Sequence, residues 1–404
     1  MVELNRRRFL FASTGLTAAG LLTAGVFGLP ELMQAARDRP LAPGSGILVL
    51  VTLYGGNDGV NTLIPYADSA YHQARPELAY AASDVLHLDD QLGLNPGMPG
   101  LAGLWRSGEL AIIRGVGYPK PDHSHFRSMD IWQTASPDEP VSTGWIGRWL
   151  DATGDDPLRA VNIGTVLPPL TVGQKCTAAA VSVGGDNTIA TFERTVNALG
   201  VADPRDTPAM AMVRESYRSA LSADHALQPA AHHRQAAAHK ETTDDNALAD
   251  QLAVVAHCIS AGVPTRVYTV SLGGFDTHAD ERDTQQRLLG KLDSAVTGFL
   301  KQMATDPHGK DVVLMTYSEF GRRVRANASQ GTDHGTAGPM FVAGVPVHGG
   351  FYGDEPSLTD LDNGDLKVTT DFRDVYHEVL TRTLDADPGP VVGAGRKDVG
   401  FLAG

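Results

Sequence analysis

The chain has 404 residues, of which 42% are hydrophobic and 20% charged, so it is long and apolar enough to bury a large globular core. Its formal net charge of -14 argues against nucleic-acid binding, because neutralising phosphates requires clustered lysine and arginine. The only cysteines, Cys176 and Cys258, cannot build a thiolate metal site, and their spacing leaves open whether they pair or stay buried free thiols.

The N-terminus has the pattern of a twin-arginine export signal. Within Asn5–Leu10 a polar residue precedes two arginines, one free position and Phe9-Leu10, and a mildly apolar, uncharged stretch runs on to Gly28. The pattern predicts recognition by the twin-arginine translocase and export to the periplasm or beyond. An uncleaved membrane anchor and a buried helix are the alternatives. We assign residues 1–43 to signal and linker, and residues 44–404 to the folded domain.

Five apolar runs rich in β-branched residues predict buried strands. They lack the strict alternation of half-exposed strands, which favours a mostly parallel sheet covered on both faces. The runs are Gly46–Tyr54, Leu110–Val116, Arg266–Leu272, Asp311–Tyr317 and Met340–Val345.

Helical spacing of apolar residues over Thr284–Thr305 and Asp371–Leu384 predicts helices between and after these strands. The expected architecture is therefore an α/β doubly wound domain with helices on both faces of the sheet. Residues 140–257 are expected to form a helical cap or insertion. Its Ala- and Gln-rich part contains four histidines, for which solvated helices are favoured over a metal site: His225, His232, His233 and His239.

Carboxylates and histidines stand where the predicted strands end or begin. Because ligands bind at the carboxyl ends of parallel strands, we expect these loops to form one site. Carboxylate and imidazole are ligands of divalent ions such as Zn, Mn, Mg or Ca. The candidate metal ligands are Asp58, Asp276, His278, Glu319 and His334, with Asn57 as a substrate-binding residue.

A further segment, His123–Ile131, follows the second strand and begins a predicted helix. Ser124 at a helix start lies where a nucleophile attacking a phosphoryl or sulfuryl group belongs, although an N-cap serine explains it too. The neighbours His123 and His125 could bind substrate, ligate metal or move protons. Arg322 could bind an oxyanion bidentately, or form a salt bridge at a helix start.

The order of these motifs resembles the alkaline phosphatase and sulfatase superfamily, including cofactor-independent phosphoglycerate mutase. More closely, nearly the whole chain resembles exported bacterial proteins of the domain of unknown function (DUF) 1501 family. The shared motifs are the twin-arginine start, Gly-Gly-Asn-Asp-Gly at 55–59, Gly-Gly-Phe-Asp-Thr-His at 273–278, Ser-Glu-Phe-Gly-Arg at 318–322 and Asp-His-Gly-Thr at 333–336.

The resemblance implies an alkaline phosphatase-like fold, a nucleophilic Ser124 and metal binding by the strand-end residues. The chain departs from phosphatases at Ser318-Glu319, where they carry Asp-His, and at Asp276–Asp280, where they carry Asp-x-x-x-His. These departures speak against a two-zinc centre and favour a single ion or a pair of harder ions. No Cys-x-Pro-x-Arg motif is present, which excludes the formylglycine sulfatase mechanism.

The leading functional hypothesis is an exported, metal-dependent hydrolase of small phosphate or sulfate esters with Ser124 as nucleophile. One alternative is a non-catalytic binding or assembly protein of the cell envelope on the same fold. Another is a polysaccharide hydrolase using Asp276 and Asp280 as a carboxylate pair, which 6% aromatic residues disfavour. The sequence does not predict the oligomeric state.

Overall fold

The computed structural model describes residues 29–164, 167–181 and 246–403. The twin-arginine segment and the histidines at 225–239 lie outside the described residues. None of the described helices is long and apolar enough to cross a membrane.

The described part of the chain alternates helices and strands. The helices are α1 Leu29–Asp38, α2 Ser69–Ala74, α3 Pro99–Ser107, α4 His125–Thr134, α5 Trp145–Thr153, α6 Ala247–Ser260, α7 Glu281–Met303, α8 Phe372–Glu378 and α9 Gly389–Val392, and a π-helical turn, Val379–Thr383, extends α8. The strands are β1 Ile47–Tyr54, β2 Leu63–Ile64, β3 Leu86–His87, β4 Gly93–Leu94, β5 Leu110–Gly117, β6 Ala160–Ile163, β7 Ala179–Val181, β8 Val267–Gly273, β9 Val312–Ser318, β10 Gly338–Ala343, β11 Gly350–Tyr352 and β12 Thr370–Asp371.

One large sheet organises the domain in the order β11-β5-β10-β9-β1-β8-β6-β7, with β12 beside β5. Strand β1 pairs in parallel with β8 and β9, whereas β10 runs antiparallel to both β5 and β9. Strands β2, β3 and β4 form a separate small sheet. The five predicted strands are present and the sheet is mostly parallel, which confirms the predicted α/β class.

Helices cover both faces of the sheet. Successive residues of the central strand β1 point to opposite faces, so each face presents apolar side chains to a layer of helices. Val49 and Val51 of β1 pack into a core with α1, α3, α6 and α7, while Leu48 and Leu50 pack into another with α4, α5 and α8. Near-continuous apolar strands are what a sheet buried on both faces requires. Strands β1, β5, β8 and β9 all run in one direction, so their carboxyl ends lie at the same edge of the sheet. The antiparallel strand β10 begins at that edge.

The expected segment boundaries differ from the structure at two places. Residues 29–43 were expected to be linker, but α1 lies within them and buries Leu32 against the core. Residues 140–257 were expected to be an insertion, but their described parts include β6 and β7 of the large sheet and α5, whose Trp145 and Trp149 are fully buried. Their buried apolar side chains and their pairing in the large sheet make these parts belong to the main domain. Residues 182–245 lie outside the described residues.

Cys176 and Cys258 are both buried free thiols. Burial raises the pKa of the Cys258 thiol to about 12, so it stays protonated at neutral pH. Of the two possibilities left open by the sequence, the structure has the free thiols.

Candidate metal centre

Loops from five elements meet at the carboxyl edge of the sheet. Asp276 and His278 follow β8, Glu319 follows β9, His334 precedes β10, and His125 begins α4. Two glycines after β1 permit this approach. Gly55 and Gly56 have φ of +119° and +75°, and a Cβ on Gly55 would lie 2.4 Å from the backbone nitrogen of Asp276. The Gly-Gly pair therefore lets the β1 and β8 loops touch.

Three histidines surround one oxygen of Asp276, and we call this group the histidine cluster: His125, His278, His334 and Asp276. The Nε2 atoms of His278, His334 and His125 lie 3.0, 3.2 and 3.5 Å from Asp276 Oδ1. The Nε2 atoms of His278 and His334 are 3.0 Å apart. Ligand atoms of His125, Asp276 and His334 all lie within 4.8 Å of one another. Three potential metal ligands thus converge, and His278 lies beside Asp276 and His334.

The outer nitrogens of two rings fix which nitrogen faces inward. His334 Nδ1 lies 2.8 Å from the carbonyl oxygen of His123, which can only accept, so Nδ1 carries the proton. His125 Nδ1 lies 2.9 Å from Glu319 Oε1, and a carboxylate imposes the same tautomer. In the neutral rings the Nε2 lone pairs therefore point into the cluster. A carboxylate or carbonyl behind a ligating histidine is the usual arrangement in metal sites.

The distances inside the cluster fit a small divalent ion. Donors held about 2.0–2.1 Å from a tetrahedral zinc ion lie about 3.3 Å apart, close to the 3.0–3.5 Å separations from Asp276 Oδ1. His125 Nε2 is buried and has no hydrogen-bond partner in the described part of the chain. A buried ring nitrogen without a partner is costly, and coordination of an ion would satisfy it.

The electrostatics keep the cluster ready to ligate. Partial burial opposes ionisation of Asp276, but the hydrogen bond and positive charge of Arg322, together with the neighbouring His334 and His278 rings, lower its pKa to about 2. Burial also lowers the pKa of His334, against the opposing effects of the His123 carbonyl and Asp276. At neutral pH Asp276 is therefore an anion and His334 a neutral imidazole, the protonation states that bind metal.

Glu319, predicted as a metal ligand, lies behind His125. Its Oε1 accepts hydrogen bonds from His125 Nδ1 and from the Gly55 amide, both at 2.9 Å, and its Oε2 accepts one from Ser318 at 3.0 Å. The carboxylate is buried, with both oxygens engaged. This arrangement makes Glu319 a residue that orients His125.

Asp58, also predicted as a ligand, does not reach the cluster. Its carboxylate is fully buried and forms a two-point ion pair with Arg75, in which Arg75 Nη2 lies 2.9 Å from Oδ1. Neighbouring Asn57 is buried as well, and its side-chain oxygen accepts from Thr62 and Gln285 at 3.1 and 2.8 Å. Both residues bind within the protein, which leaves neither Asn57 nor Asp58 facing a substrate.

Arg322, predicted to contact an oxyanion, instead forms its hydrogen bonds within the protein. Its guanidinium is buried and donates to the carbonyls of Gly55, Gly56, Phe275 and Thr332, as well as to Asp276 Oδ1 at 2.8 Å. It ties the loops after β1 and β8 to the loop before β10. Its contribution to the cluster is to hold Asp276 in place and ionised.

Ser124 occupies the N-cap position of α4 and is exposed, but its side chain makes no capping hydrogen bond. Ser124 thus has the N-cap position that the sequence left open, but its hydroxyl does not cap the helix. His123, predicted to bind substrate, places its ring 2.9 Å from Asp365 Oδ2. His125, assigned to the same role, lies in the cluster instead.

Three residues that shape this region were not identified from sequence: Arg75, Glu281 and Asp365. Arg75, which directly follows α2, and Glu281, the first residue of α7, lie beside Asp58, and Asp365 contacts His123 from a distant loop. They belong to no motif, and only the tertiary structure brings them to the site. A weak signal existed for Glu281, an acidic residue placed where the predicted long helix begins.

Comparison with known proteins gives a family and a fold likeness. A solved structure of a protein in the alkaline phosphatase superfamily from Vibrio parahaemolyticus is similar at 10% identity and a TM-score of 0.42, covering 96% of this chain and 81% of that one. The lipoteichoic acid synthase LtaP from Listeria monocytogenes is similar at 9% identity and a TM-score of 0.39, covering 95% and 79%. Values this low transfer no activity.

No curated protein matches the chain. Residues 176–385, just over half of the sequence, match the family described as "Protein of unknown function (DUF1501)", which confirms the resemblance seen in the motifs. This protein belongs to the DUF1501 family.

Proposed function

We propose that this protein is an exported, metal-dependent hydrolase of phosphate or sulfate esters. The observation that carries the proposal is the convergence of three histidine Nε2 atoms on Asp276, with the buried His125 Nε2 lacking a hydrogen-bond partner among the described residues. His125, His334 and Asp276 would hold the ion, with His278 as a fourth ligand. Export rests on the twin-arginine pattern of the sequence.

The donor set favours a borderline ion such as zinc over harder ions such as manganese, magnesium or calcium. Three imidazole nitrogens and one carboxylate are typical of zinc and other transition metals, whereas calcium takes six to eight oxygens. The cluster offers a single carboxylate, because Asp58 is paired with Arg75 and Glu319 lies behind His125. A harder ion would find too few oxygens here.

The chain's own residues then divide the work of ester cleavage. A bound divalent ion supplies Lewis-acid chemistry, stabilising negative charge on phosphoryl or sulfuryl oxygens. The Ser124 hydroxyl, exposed next to His125 and not used in capping, is the nucleophile. Its oxygen bonds to phosphorus or sulfur while the bond to the alcohol oxygen breaks, and the hydroxyl proton ends on the departing alcohol. Water then cleaves the serine ester, which releases phosphate or sulfate and restores the Ser124 hydroxyl. Glu319 and Arg322 hold His125 and Asp276 in position.

Metal content is the first test. Elemental mass spectrometry on the folded full chain should find about one equivalent of a transition metal per chain. The content should fall at least tenfold in His125→Ala and His334→Ala, and stay unchanged in His348→Ala, an exposed histidine outside the cluster. A protein that binds no ion even after reloading would refute the proposal.

The nucleophile is tested with Ser124→Ala. Turnover of para-nitrophenyl phosphate or sulfate should fall by at least a thousandfold while the metal content stays at the wild-type level. Unchanged turnover in this variant would remove Ser124 from the mechanism. A metal-loaded wild type that cleaves no ester, and only gains melting temperature from the ion, would instead support the envelope binding or assembly protein.

A further inference from the structure

One buried carboxylate holds two basic side chains beside the histidine cluster. Asp365, only 5% exposed, lies 2.9 Å from His123 Nε2 through Oδ2 and 3.3 Å from Arg323 Nε through Oδ1. The two basic side chains, which we call the basic pair, are 44% and 43% exposed. Their inner ends are thus anchored on Asp365 while their outer ends reach solvent.

Arg323 differs from its neighbour Arg322 in what its guanidinium has left to offer. Arg322 is buried and gives its donors to four carbonyls and Asp276. The ion pair between Arg323 and Asp365 is formed by Nε, at 3.3 Å, and the Nη1 and Nη2 groups of Arg323 make no hydrogen bond within residues 29–164, 167–181 and 246–403. A pair formed only to neutralise charge would normally use the Nη fork. The fork that suits a tetrahedral oxyanion is here unused.

The basic pair is joined directly to the histidine cluster. The carbonyl of His123 accepts the hydrogen bond from His334 Nδ1 at 2.8 Å, and His123 itself stands two residues before His125. On the other side, the backbone of Arg322 is bridged to that of His334, so Arg323 follows a residue in contact with the cluster. Both members of the pair are therefore fixed to the rim of the proposed metal site by backbone contacts.

We infer that Arg323 and His123, held by Asp365, bind an oxyanion group of the substrate beside the histidine cluster. The substrate class, a phosphate or sulfate ester, rests on the proposed function. The binding itself does not, because the fork of Arg323 is present with or without an ion. Arg323 thus takes the role that the sequence assigned to Arg322. The net charge of -14 repels anions from the chain as a whole. The exposed guanidinium of Arg323, held in place at this rim, attracts them locally.

The test is anion binding by the full chain. Isothermal titration with inorganic phosphate and with sulfate at low ionic strength is run on metal-loaded and on chelator-treated protein. Arg323→Gln should raise both dissociation constants at least tenfold in either state. Arg323→Lys, which keeps the charge but loses the fork, should raise them several-fold. The matched control is Arg325→Gln, which removes an exposed arginine two residues away and should leave both constants within twofold of the wild type.

Asp365→Asn tests the anchoring. Releasing the basic pair should weaken phosphate binding several-fold, whereas Asp362→Asn, an exposed aspartate on the same turn, should not. Thermal melts confirm that each variant is folded, and elemental analysis shows whether metal is kept. Equal affinity in wild type and Arg323→Gln, or no anion binding by the wild type, overturns the inference. Arg323-dependent binding in a protein that holds no metal supports it while refuting the proposed hydrolase.

Discussion

Glu281 begins α7 with its carboxyl group fully buried against Asp58, and its replacement by glutamine probes the charge state of this contact. Thr332 Oγ1 donates to Glu281 Oε2, whereas Oε1 is buried and receives no hydrogen bond from the described residues. Burial and the neighbouring Asp58 raise the pKa of Glu281 to about 9, although Arg75 opposes this. The folded protein therefore keeps a proton on Glu281 at neutral pH, beside Asp58, whose own pKa is lowered by Arg75 against the effect of burial.

The size of the effect follows from linkage. In the unfolded chain Glu281 loses its proton near its ordinary pKa of 4.5, so between pH 4.5 and about 9 the folded state binds one proton more. Stability is fully present below pH 4.5 and falls by about 1.4 kcal/mol per pH unit up to about pH 9. At pH 7 the cost amounts to about 3 kcal/mol. Glutamine has the shape and donor of the protonated acid without this cost.

The assay is urea unfolding of wild type and Glu281→Gln at saturating metal from pH 5 to pH 10. We expect the variant to become more stable relative to the wild type as pH rises, with the difference levelling off above about pH 9. Asp283→Asn, which replaces an exposed carboxylate of the same helical turn, is the matched control variant. A pH-independent difference between Glu281→Gln and the wild type would refute the protonated carboxyl group.

Two further predictions test how the site is built. Gly56→Ala should lower the free energy of unfolding by more than about 2 kcal/mol, because its Cβ would lie 2.3 Å from the Phe320 ring. The control Gly44→Ala, at φ +76° with open space around it, should lower it by only about 1 kcal/mol. Equal melting temperatures for the two variants would contradict the close approach at Gly56. Glu319→Gln should weaken metal binding about 10- to 100-fold in a chelator competition, because His125 loses its anionic partner; unchanged affinity would show that Glu319 does not orient His125.

The fold and the location of the site follow from local patterns in the sequence. Apolar runs identified five strands, because a strand buried on both faces carries apolar residues at nearly every position. Since parallel strands end at one edge, the loops after them had to meet, and the structure brings Asp276, His278, Glu319 and His334 together there. The short strands β6 and β7 were not predicted, because runs of three or four residues give no periodicity.

Which residue performs which role depended on partners far away in the chain. Asp58 stands in a loop as favourable as that of Asp276, but Arg75, the residue after α2, neutralises it. Arg322 and Arg323 are adjacent and chemically identical, yet alternation along an extended segment buries one and exposes the other. Asp365 lies among several loop aspartates, and nothing local distinguishes it from Asp360 or Asp362.

The choice of ion shows how such partners change a chemical conclusion. Three of the five predicted metal ligands are carboxylates, and this number favours hard ions. Charge balance removes two of them, because the Arg75 guanidinium satisfies Asp58 and the His125 ring satisfies Glu319. His125, classed with the substrate contacts by its position before a helix, enters the cluster in their place. The remaining donors are one carboxylate and three imidazole rings, so the same sequence motifs now favour a borderline transition metal.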